Sequence, residues 1–284
     1  MGCTPSVNLE AFESTEQNYF SVQMYGSDRL RLILAPNEIN NSTRDVLNAK
    51  WSIISEDVQK GFVEFLLGGR PWYSDYNSQI KHFLCSLLQV YYELGWYLKA
   101  STDLERQDKE TDVLFFQKNR PLKSSIICIS LNSSDKIKVL GPKIIYPIIK
   151  HSVIKSWYKG IQDEQVFENV YELKLYGNPW NDWLKDSQDY LNCPLLILEI
   201  MKDMFKKGWI FVGAIDSSQR QSSLNALYFR KDAEDNEIND LEKTRFFAMS
   251  LNKSNIIRLH KADHDLKLLI LNPQYGIKSL WKSG

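Results

Sequence analysis

Few residues of this sequence stand in arrangements that chemistry needs, and each has a packing role to weigh against. His260, Asp263, His264 and Asp265 form an H-x-x-D-H-D run. Two histidines four apart share a helix face, but a metal needs a third ligand beside them. None stands nearby at a recognisable spacing, so the run reads as a polar turn between strands, and neither metal nor cofactor is expected. His82 and Cys85 are three apart. A Cys–His dyad needs an exposed thiolate in electropositive surroundings. Cys85 instead sits in Phe83-Leu84-Cys85-Ser86-Leu87-Leu88, which is a packing environment. Asp103 and Asp216 each close a segment that opens Gly-Trp. Two facing carboxylates serve acid–base work, and a lone Asp starts a turn. Trp72 and Trp180 lie in Gly-x-Pro-Trp loops, with Trp183 just beyond. They are candidate contacts for a ligand or partner, because Trp is enriched at binding hot spots, or else they are core plugs. There is no Walker loop, no dinucleotide fingerprint and no nucleophile elbow. No catalytic site is expected.

The N-terminus carries a clearer chemical signal. Met1-Gly2-Cys3-Thr4-Pro5-Ser6 fits the pattern M-G-x-x-x-[ST]. Over these six residues it resembles the dually acylated N-termini of G-protein α subunits and Src-like kinases. The resemblance implies myristate on Gly2 and palmitate on Cys3. A single myristoyl chain binds a bilayer only marginally, with K of about 10⁴ M⁻¹. Residues 8–17 contain Glu10, Glu13 and Glu16 but no Lys or Arg. No polybasic patch there supplies a second anchor, which leaves Cys3 to do so. Residues 1–20 read as a flexible acylated tether. The expected address is the cytoplasmic face of a membrane, plasma membrane or Golgi, and the cytosol if acylation fails.

Composition bounds the rest. The chain has 284 residues, 43% hydrophobic and 25% charged, with zero formal net charge. That is ordinary globular composition. Without a basic domain or stripe, nucleic acid is not an expected partner. Cys85, Cys128 and Cys193 lie in apolar runs, where reduced thiols act as small hydrophobes. No secretory signal or membrane-spanning run is visible. Lys136, Lys138, Lys143, Lys150, Lys155 and Lys159 form a loose basic stretch that faces either solvent or anionic lipid.

The elements that must position these residues occur twice. Gly69-Arg70-Pro71-Trp72 returns as Gly177-Asn178-Pro179-Trp180. Gly95-Trp96 returns as Gly208-Trp209, and Asp112-Val113-Leu114-Phe115-Phe116 as Asn225-Ala226-Leu227-Tyr228-Phe229. Ile129-Ser130-Leu131-Asn132 returns as Met249-Ser250-Leu251-Asn252, with a third echo near Val22-Gln23-Met24-Tyr25. Ordered matches of this kind mark a duplication. Alternation predicts strands before each Gly-x-Pro-Trp loop. Helical spacing follows, over residues 77–94 and 194–207, each ended by Gly. A second helix before Trp51 has Asn41-Ser42-Thr43 as its expected cap. The predicted fold is α+β: a tandem duplication of a module with helix, strand, helix and a three-strand antiparallel meander. Residues 21–134 form the first repeat, and 135–284 the second plus a C-terminal partial unit. The expected function is an acyl-anchored peripheral membrane adaptor or scaffold without catalytic activity, serving an unknown protein partner. The alternative is a ligand- or lipid-binding module, or a divergent enzyme, with its site between the repeats.

Overall fold

The computed structural model describes residues 18–73, 78–104, 111–180, 187–217, 224–232, 244–252, 256–272 and 274. The first repeat opens with a hairpin, β1 (Tyr19–Tyr25) and β2 (Arg29–Ile33), whose alternation buries Phe20, Val22, Met24, Leu30 and Leu32 on one face. It continues with α1 (Asn37–Asn48), β3 (Ile53–Gln59), β4 (Phe62–Leu67), a 3-10 turn (Pro71–Tyr73), α2 (Ser78–Glu93), β5 (Trp96–Thr102) and β6 (Val113–Lys118). The second repeat follows the same order. It comprises β7 (Ser124–Asn132), β8 (Lys136–Leu140), a 3-10 turn (Lys143–Ile145), α3 (Tyr146–Ser156), β9 (Ile161–Phe167), β10 (Val170–Leu175), α4 (Gln188–Lys206), β11 (Ile210–Ile215) and β12 (Ala226–Asp232). Each repeat folds into one antiparallel sheet, in the orders β3-β4-β2-β1-β6-β5 and β9-β10-β8-β7-β12-β11.

The duplication extends to irregularities. The β3–β4 and β9–β10 ladders each carry a bulge, as do β5–β6 and β11–β12. In both repeats the Gly-x-Pro-Trp loop is tied to the tip of the first hairpin. Trp72 N donates to Ser27 O (3.2 Å) and Trp180 N to Ser134 O (3.1 Å).

The repeat phase differs from the sequence expectation. Instead of joining a meander after β5 and β6, the segment 124–132 starts the second sheet by pairing with β8 and β12. It does so because β6 turns back onto β1 and completes the first sheet. The boundary expected at 134/135 thus falls in a hairpin turn, and the unit is strand–strand–helix–strand–strand–helix–strand–strand. Strands β3 and β9 were not anticipated, since as sheet edges they are exposed on both faces and show no alternation. Pro36, not Asn41-Ser42-Thr43, precedes α1. Thr43 lies inside that helix, bonded to Ile39 O (2.7 Å) and to the Tyr91 hydroxyl (2.6 Å). Helix α4 starts at Gln188, six residues before the expected Pro194, because the Ser187 hydroxyl caps it by accepting from Tyr190 N.

The layers stack as sheet, helices, sheet, helices. Helix α2 buries Phe83, Leu87 and Tyr91 against the first sheet. The second sheet covers its far side, where Ile126, Cys128, Leu140, Ala226 and Tyr228 join the same core. The third echo forms hairpin β13 (Ala248–Asn252) and β14 (Ile256–His260), followed by α5 (His264–Ile270). Its β13 packs on α4 as β7 packs on α2. Lys261 takes φ +58° where Leu34 of the first repeat takes +56°, so residues 248–270 match the head of a further unit.

Trp72 is fully buried, meets Trp51 edge-on at 5.8 Å and donates from Nε1 to Arg29 O at 2.9 Å. Trp72→Ala should cost about 3–5 kcal/mol by cavity formation and the lost bond, read as a fall in the urea midpoint.

Candidate functional site

Gly2, Cys3 and Trp183 lie outside the described residues. Trp72 and Trp180, at 0% and 8% exposure, are core plugs and not groove walls. Burial pushes the Cys85 thiol well above its usual range, opposite to what a nucleophile needs. Burial and the Lys50 charge lower the pKa of His82. The H-x-x-D-H-D run spans a strand end and a helix start. Asp263 Oδ1 caps α5 by accepting from Leu266 N (2.8 Å), and its Oδ2 accepts from Arg245 (2.8 Å).

Asp103 is exposed after β5, whereas Asp216 meets the first repeat. Asp216 N donates to Asp112 Oδ2 (2.8 Å), and Asp112 N donates to Asp216 O (2.9 Å). Ser101 Oγ also donates to Asp112 Oδ2 (2.6 Å). Asp112 is therefore the carboxylate that joins the repeats, and the sequence reading missed it. The signal was its mismatch with Asn225 in an otherwise matched strand. The seam along α2 is filled by side chains of both repeats.

Two buried glutamates occupy equivalent places. Glu64 binds Arg29 (2.5 Å) and Arg31 (2.7 Å) and accepts from the Tyr25 hydroxyl. Glu172 binds Lys136 (2.7 Å) and Lys138 (3.2 Å) and accepts from Gln165 (2.9 Å). Their side chains are 10% and 4% exposed. Burial alone would raise both carboxyl pKa values, but these hydrogen bonds and cations outweigh it and hold them below the usual range. Occurrence in both repeats marks them as parts of the fold. Ion pairs also absorb most of the basic stretch. Lys150 pairs with Glu164 as Arg44 pairs with Glu56, Lys155 with Glu199, and Lys159 with Asp189.

One surface does not follow the repeat. A groove of 630 Å³ between α3 and α4 is lined by Ile144, Pro147, Ile148 and Trp209, and by His151, Asp203, Lys206, Lys207 and Lys231. Along the 3-10 turn and α3 the residues Ile144, Pro147, Ile148, His151 and Ile154 recur at three- and four-residue spacing, which places them on one side of the helical segment. Ile144 and Ile154 are 74% and 61% exposed. Aligned on Pro36 with Pro142 and Trp51 with Trp157, the same stripe of α1 reads Glu38, Asn41, Ser42, Asp45 and Asn48. Glu93 and Leu94 stand where Lys206 and Lys207 do. A smaller groove of 310 Å³ lies between α4 and the third hairpin, and its Glu199, Lys202, Arg245 and Asp263 sit in ion pairs. Among the described residues, no three His, Cys, Asp or Glu group as metal ligands, and no helix is long and apolar enough to cross a membrane.

Because the folded pKa values of Glu64 and Glu172 are depressed, their contribution is fully present above the unfolded value of about pH 4.3 and is lost as pH falls through the folded values. Glu64→Gln and Glu172→Gln should each flatten the decline of the urea midpoint between about pH 5 and about pH 3.

A single domain-family model matches the chain twice, over residues 18–117 and 125–230. No curated protein and no solved structure matches it. Both matched spans coincide with a complete sheet and its two helices, so the chain belongs to this domain family and carries the domain as a tandem pair.

Proposed function

We propose that this protein is an acyl-anchored peripheral membrane adaptor without a catalytic role of its own. The observation that carries the reading is Gly2-Cys3 within M-G-x-x-x-S, a sequence suited to two acyl chains. Two chains give the stable attachment that one does not. The stacked repeats supply a rigid body with broad outer surfaces, a form suited to presenting a partner at a bilayer. The candidate dyad and the two aspartates lend a catalytic alternative no support, since burial raises the Cys85 thiol pKa and Asp216 meets Asp112 through its backbone while Asp103 stands exposed after β5. The competing reading, a ligand site between the repeats, has the filled seam against it.

Fractionation of the tagged protein beside Gly2→Ala and Cys3→Ser variants tests the proposal. The parent should pellet with membranes, Gly2→Ala should be soluble, and Cys3→Ser should shift substantially toward the soluble fraction. Equal solubility of all three, or an intact mass showing a bare Gly2, would overturn it.

A further inference from the structure

We infer that the α3–α4 groove of the second repeat docks on the anionic headgroups of a membrane. The inference deepens the membrane reading above and rests on it for the choice of occupant. Two independent features point the same way. The first is apolar: the 3-10 turn and α3 leave Ile144, Pro147 and Ile154 exposed along one stripe with Ile148 half-buried among them, and Ile144 is 74% exposed. The second is charge: Lys206, Lys207 and Lys231 converge beside that stripe with His151, against the single carboxylate of Asp203. Ser152 donates to Asp203 Oδ2 at 3.0 Å, so that carboxylate has a partner outside the three lysines.

The fold does not demand this surface. The equivalent face of the first repeat holds Glu38, Asp45 and Glu93 around Lys118, with polar residues along the stripe. The backbone is shared while charge and polarity on the solvent side are opposite, so the shared fold does not impose that outer face. A lysine near a helix C-terminus complements the macrodipole, which accounts for Lys206, and Lys231 on β12 donates to Lys207 O (3.3 Å) at the end of α4 as Lys118 donates to Leu94 O (3.0 Å) at the end of α2; the exposed isoleucines are left unexplained. Apolar residues flanked by cations form the pattern that settles at a bilayer interface, with alkyl groups at the acyl boundary and ammonium groups among phosphates. It would supply the electrostatic component that residues 8–17 lack.

The test uses full-length protein carrying Gly2→Ala and Cys3→Ser, so that neither acyl site remains. Its partition is measured by sedimentation with vesicles of phosphatidylcholine alone and of phosphatidylcholine with phosphatidylserine. Binding should be confined to the serine-containing vesicles. K206E/K207E/K231E should weaken it by roughly tenfold or more, given the attraction of each lysine near an anionic surface. Ile144→Asn should weaken it as well. K50E/K99E/K123E, with the same change in net charge elsewhere, should not, and unchanged urea midpoints confirm folding. Equal binding to both vesicle types, or wild-type binding by the groove variant, overturns the inference. So does failure on all vesicles combined with lysine-dependent binding of labelled polyglutamate, which would assign the groove to an acidic protein. None of these outcomes bears on acylation, and a bare Gly2 in cells would leave vesicle binding by the groove intact.

Discussion

The double burial of α2 is the constraint on which this architecture depends. A helix on a sheet normally leaves one side to water and carries polar residues there. Helix α2 instead buries Ile80, Phe83, Leu84, Leu87, Leu88, Tyr91 and Tyr92, too wide an arc for one sheet to cover. The second sheet closes over the remainder. Its β7 and β8 bring Ile126, Cys128 and Leu140 onto the helix, and Arg230 reaches within 5.8 Å and 5.9 Å of the Tyr92 and Tyr97 rings. Neither repeat can hold its native surface without the other. That coupling between neighbours is what makes repeat arrays cooperative.

Polar groups at this arrangement serve register more than chemistry. Glu64 and Glu172 sit on the sheet faces that do not pack on their own repeat's helices, and each is matched by two cations on the neighbouring strand. A buried carboxylate left unpaired is costly, so a slip of β4 on β2 would separate charge from countercharge. Asp112 acts between the repeats, where these pairs act within one. It ties the start of β6 to the end of β11 through one backbone hydrogen bond and one bond from Asp216 N to its own carboxylate.

The duplication was legible because buried positions repeat in chemical type. Ile39 and Ile145, Leu87 and Ile200, and Phe116 and Phe229 hold equal places and are all fully buried. Its phase was not legible, because hairpin strands look alike in sequence and only pairing decides which sheet they join. Edge strands β3 and β9 left no alternation to read. Pro194 resembled a helix start, and the true start depended on a single serine cap. The Trp loops were correctly located, but a sequence does not distinguish a plug from a contact. Asp112 and the α3–α4 groove were out of reach for another reason. Each assembles residues about fifty to a hundred positions apart, and the groove stands out only when the two repeats are superimposed position by position.

The alternation of layers gives the body two unlike ends. One end presents the outer face of the first sheet, with Arg29, Arg31 and Phe62 around Glu64. Toward the other lies the α3–α4 layer, partly roofed by the third hairpin. The molecule thus has a sheet at one pole and helices toward the other. Contact between unlike poles of separate molecules would be head-to-tail, and such contacts build rings or filaments, whereas a closed twofold pair would set like surface against like surface. Two poles of unlike chemistry on one body make any contact between them directional.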